Sequence, residues 1–145
     1  MTKIDLYLIQ GDGFSDQVQF CCRLIEKARQ HDNTVHVQTR EAYQSEAINE
    51  SLWAFRPESF IPHLIGQSSH PHYSVTIDVH SLNNSAAKNR DLLILIDSPL
   101  PSSIQDFKRL CLIVPNQQDA LKQARQHYRQ LASDGLNVHT HDLRK

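Results

Sequence analysis

The sequence predicts a three-layer α-β-α domain built on a mostly parallel, twisted sheet. Three observations predict it. Short apolar runs alternate along the chain with segments of helical periodicity. Two of those runs, Leu92-Leu93-Ile94-Leu95-Ile96 and Leu110-Cys111-Leu112-Ile113-Val114, are apolar at every position, as strands covered on both faces must be. The whole chain has 145 residues, which suits a single domain around one hydrophobic core, taken as residues 1–145.

The elements follow in order. Lys3 to Ile9 alternates and then turns apolar, a first strand. Gly11-Asp12-Gly13 reads as a turn, with Asp12 or Ser15 as a helix cap. From Phe14, the residues Val18, Cys21, Cys22, Ile25 and Ala28 share one helical face, and His31-Asp32-Asn33 ends that helix. Thr34 to Gln38 is a short strand with Val35 and Val37 on one side. A second helix runs from about Arg40 to Trp53 and packs through Ala47, Ile48, Ser51 and Leu52. Pro57 and Pro62 then argue against regular structure between residues 55 and 71. Tyr73 to Val79 alternates as a half-buried strand, and residues 81–89 are a polar loop. The strands at 91–97 and 110–114 flank two prolines and a short helix near 103–108. A last helix spans about Gln118 to Ser133 and stops at Asp134-Gly135, before an edge strand from Leu136 to His141. The resulting order is Rossmann-like.

Composition excludes several classes. Hydrophobic residues make up 39% of the chain, and no stretch approaches the roughly 20 apolar residues a membrane span needs. The first acid, Asp5, comes too early for a signal peptide, so the expectation is a cytoplasmic protein with no membrane partner. The net charge of −1 does not favour direct nucleic-acid binding. The three cysteines, two of them adjacent, suit buried, reduced thiols.

Signals for chemistry are weak. Gly11-x-Gly13 after a strand invites a nucleotide-binding enzyme on this fold, of unknown substrate. The dinucleotide fingerprint needs a third glycine where Asp16 stands, and Asp12 adds another negative group. The close histidine pairs, His70/His72 and His139/His141, lack a cysteine or carboxylate partner at metal-ligand spacing. No catalytic residue, metal ligand or cofactor is assigned.

Two segments stand out as surfaces. In Leu52-Trp53-Ala54-Phe55-Arg56-Pro57-Glu58-Ser59-Phe60-Ile61-Pro62-His63, large aromatics sit beside prolines. Such a loop either folds over the sheet to complete the core or presents stiff aromatic anchors to a partner. In the last helix, Leu121, Ala124, Tyr128 and Leu131 form a stripe toward the core. Lys122, Arg125 and Arg129 form a basic ridge at its margin, with no acid between Ala120 and Ser133. That ridge is either a solvated face or a seat for a peptide with acids and an apolar end.

The 52–63 segment resembles the signature of the chi subunits of bacterial DNA polymerase III. Support comes from Tyr7-Leu8, from Arg90-Asp91-Leu92-Leu93-Ile94, and from Val114-Pro115 leading into the last helix. The resemblance implies a non-catalytic clamp-loader subunit acting in DNA replication. It implies psi-subunit contacts at Trp53, Phe55, Pro57, Phe60 and Pro62, a surface on which a helicase is a conceivable second partner. It also implies that the acidic C-terminal tail of single-stranded DNA-binding protein is bound at Val114, Lys122, Arg125, Tyr128 and Arg129. Arg125, Tyr128 and Arg129 fall on the family's arginine, tyrosine and basic positions. Lys122 departs, since an ungapped match puts the family's lysine at Leu121.

Overall fold

The computed structural model describes residues 3–31, 33–55, 63–65, 75–79, 91–97, 100 and 108–144; the side chains of 53–55, 63–65 and 75–79 lie outside that description. The elements are β1 (Lys3–Leu8), α1 (Phe14–Gln30), β2 (Val35–Thr39), α2 (Ala42–Phe55), β3 (His63–Ile65), β4 (Val75–Val79), β5 (Leu92–Ile96), β6 (Arg109–Val114), α3 (Gln118–Ser133) and β7 (Val138–Asp142). They form one seven-stranded sheet in the order β3-β4-β2-β5-β6-β1-β7. Every pairing in it is parallel.

The sheet has a separate core on each face. Residues Ile94, Ile96, Cys111, Ile113, Val35 and Val37 pack with Val18, Cys21, Cys22 and Ile25 of α1 and Ile48 and Leu52 of α2. On the other face, Ile4, Leu6, Leu93, Leu95, Leu110, Leu112 and Val114 pack with Ala124 and Leu131 of α3. The continuous apolar runs of β5 and β6 are thereby explained: alternate side chains point to opposite faces, and both faces are covered. Burial pushes the Cys22 thiol up to about 11 and Cys111 up to about 12. Cys21, with no exposed surface, is raised as well, first by burial and then by the neighbouring thiols.

The acids bounding β5 have jobs at both ends. The Asp91 carboxylate accepts the Thr34 backbone N–H at 2.9 Å, where β2 begins. Asp97, with φ of 54°, pairs with Arg40 at 3.5 Å just beyond the end of β2.

Two sequence expectations change. The segment 55–71, expected to lack regular structure, contains β3, a three-residue strand paired with β4. At the start of α1, neither Asp12 nor Ser15 caps the helix; the Gly13 N–H donates to the Asp16 carboxylate at 3.2 Å instead. The loop expected at 81–89 and the helix near 103–108 lie outside the described residues. Among those residues, no helix is long and apolar enough to cross a membrane.

Candidate functional site: an arginine-rimmed groove beside α3

The groove begins with the position of α3. This helix packs over β6 and reaches β7, the edge strand beyond β1, and shares a core with Ile4 and Leu6 of β1. Ala124 and Leu131 are buried, but Tyr128 is 44% exposed, so the stripe expected to point wholly to the core splits. Beneath Tyr128 lies a groove of about 240 Å³ lined by Leu6, Leu8, Leu121, Ala124, Arg125, Tyr128, Arg129 and Arg144. Its floor is aliphatic and its margin carries three guanidinium groups and a phenol.

The sequence-derived residues distribute unevenly around this groove. Arg125, Tyr128 and Arg129 come together on it. Arg125 and Arg129 make no ion pair among the described residues. Lys122 is exposed on α3 but does not line the groove. Val114 is buried in the α3-side core and lines a different cleft. Arg144 was missed. It lies 15 residues beyond Arg129 in the chain, in a segment with no periodicity to mark it. The parallel pairing of Leu8 with Asp142 brings it to the groove.

A buried charge also links β1 to β7. Asp5 on β1 is 1% exposed. Its carboxylate accepts a hydrogen bond from Arg109 Nε at 2.8 Å and lies 2.9 Å from His141 Nε2. Burial alone would raise the Asp5 carboxyl, but the His141 and Arg109 contacts outweigh it and hold the group below its ordinary range. Tyr7 stacks on the His141 ring at 4.7 Å. The carboxylate beside His141 comes from the other end of the chain, at no spacing a local metal motif would show. Among the described residues, no group of three histidines, cysteines or carboxylates is placed to hold a metal ion.

A larger cleft, about 400 Å³, opens at the C-terminal ends of the strands beside Gly13. Size and position recommend it for a nucleotide. Its chemistry does not: Asp12, Asp97 and Asp119 line it. The space above Gly11, where a phosphate would approach the backbone, is filled by the Asp16 side chain. Carboxylates at a helix N-terminus repel the anions that such a site attracts.

Of the proline-flanked segment, the backbone of Trp53 and Phe55 lies in the last turn of α2. Their side chains, and Pro57, Phe60 and Pro62 altogether, lie outside the described residues.

Comparison with known proteins bears on this architecture. Residues 1–139 match the family described as "DNA polymerase III chi subunit, HolC". The chain is similar to the DNA polymerase III subunit chi of Pseudomonas aeruginosa, with 29% identity over 99% of this chain and 98% of that protein. It is 31% identical to the subunit of the same name from Haemophilus influenzae, covering 86% of each. The Escherichia coli K12 subunit chi is 27% identical, over 97% of each chain. The match runs through nearly every element described above, and the chain belongs to the DNA polymerase III chi subunit family.

Proposed function

We propose that this chain is a non-catalytic accessory subunit of the DNA polymerase III holoenzyme, working in the cytoplasm within the clamp-loader complex. It bridges the psi subunit to the acidic C-terminal tail of single-stranded DNA-binding protein. The observation that carries this reading is the α3 groove. Its aliphatic floor suits an apolar chain end, and its arginines suit the carboxylates around that end. Arg125 and Arg129 make no ion pair with a described carboxylate, so their charge is available to a ligand. The psi contacts, Trp53, Phe55, Pro57, Phe60 and Pro62, rest on the resemblance of the 52–63 motif alone. Lys122 contributes as a nearby point charge, and Val114 as part of the buried wall behind α3. Joining two weak linkages in one chain raises the effective concentration of each partner near the other.

The rival reading, a nucleotide-binding enzyme, would use the cleft beside Gly13, and the acids there oppose it.

The test is a pulldown with the isolated tail peptide and, separately, with psi. Arg125→Ala should lose the peptide and keep psi, whereas Trp53→Ala should do the reverse. Peptide binding should weaken as salt rises, because it leans on exposed charge. Full peptide binding by Arg125→Ala would remove the groove from the account.

A further inference from the structure

The third arginine of the groove is not in the same state as the other two. Arg144 directs Nε to Asp142 Oδ1 at 2.9 Å and Nη2 to Asp142 Oδ2 at 2.9 Å. The Arg144 backbone N–H also donates to Asp142 Oδ1, at 3.1 Å. This is the two-pronged arrangement by which a guanidinium grips a ligand carboxylate. Asp142 pairs in register with Leu8 of the groove floor, and the Leu143 N–H donates to the Leu8 carbonyl at 2.8 Å. The strand end holding Arg144 is therefore fixed to the same residue that forms the floor.

We propose that Asp142 is an internal stand-in for the ligand: it occupies the fork of Arg144, and an acidic peptide binds by taking that fork from it. This deepens the reading of the groove as an acidic-peptide seat and rests on it. A carboxylate arriving at Arg144 gains two charge-assisted hydrogen bonds and ends the same two with Asp142. A peptide with one acid gains almost nothing from the exchange, since Arg125 or Arg129 already serves that acid. A peptide with several acids fills all three arginines and gains the most. Asp142 thus sets a threshold that favours clustered carboxylates over a single one.

The experiment measures binding of a synthetic peptide, several aspartates followed by proline and phenylalanine, to the full chain at low salt. Asp142→Asn should tighten binding about 3-fold, the scale of one exposed ion pair released, and Arg144→Ala should weaken it by about as much. In the Arg144→Ala background, adding Asp142→Asn should change affinity by less than about 1.5-fold, because no fork remains to release. A peptide with one aspartate should show a smaller gain from Asp142→Asn. If Asp142→Asn weakens binding, or its gain survives in the Arg144→Ala background, the stand-in role is refuted and the acid acts as a simple anchor or a general repulsive charge. If Arg125→Ala also binds normally, the groove itself is not the peptide seat, a failure separate from the first. Both substitutions are on exposed side chains, and unchanged thermal melts would show the variants folded.

Discussion

Replacing Arg109 with alanine should destabilise the protein in a way that depends on pH. Asp5 is buried, with Arg109 at 2.8 Å and His141 at 2.9 Å from its carboxylate. Removing Arg109 leaves a buried carboxylate whose remaining hydrogen-bond partner among the described residues is His141. Breaking a fully buried ion pair costs about 3–5 kcal/mol. Arg109 is 42% exposed, so water enters the vacated space and the expected cost falls to about 2–3 kcal/mol at pH 7. For a chain of this length that corresponds to a fall in Tm of about 5–10 °C. The sign with pH follows from Asp5. In the native protein its carboxyl is depressed, so it contributes stability above its ordinary range, and that contribution is lost as pH falls through the folded value. In Arg109→Ala, burial dominates, the carboxyl rises, and protonation relieves the penalty. The gap between the two proteins should therefore start to narrow above about pH 4, where the raised carboxyl of the variant takes up its proton, and keep narrowing until pH passes the depressed native value. Urea denaturation followed by circular dichroism from pH 7 to pH 3 measures it. A cost that stays constant across that range would mean that Arg109 acts by packing its stem, and the buried-charge argument would fail.

Three further outcomes follow from the packing. Cys21, Cys22 and Cys111 are buried and their thiols are raised, so Ellman's reagent at pH 8 should react with them only after denaturant is added. Ile94 is fully buried at the centre of β5, and Ile94→Ala should cost about 3–4 kcal/mol in urea titrations. Gly135 follows α3 with φ of 81° and open space where a Cβ would sit. There Gly135→Ala should cost about 1 kcal/mol from backbone strain alone and Gly135→Asn less, as read from melting temperatures.

Much of this protein was determined by its local sequence. The apolar faces of α1 and the unbroken runs of β5 and β6 could form only a sheet covered on both sides, because period and burial are properties of neighbouring residues. The limits of α3, Gln118 and Ser133, were legible for the same reason, with Gly135 free to adopt the left-handed turn that stops it. The basic ridge at Arg125 and Arg129 was legible as a pattern too. What tertiary structure decided was where these pieces meet. Tyr128 belongs to an apolar stripe, yet it is half exposed at a groove shared with β1 and the chain beyond β7. Asp5 and His141 stand at opposite ends of the chain, and only the parallel pairing of β1 with β7 joins them. The same pairing carries Arg144 to the groove and leaves Val114 behind in the core. Periodicity records which side of an element is apolar; it holds no information about which distant strand lies alongside, and pairings between chain ends are settled by the packing of the whole sheet.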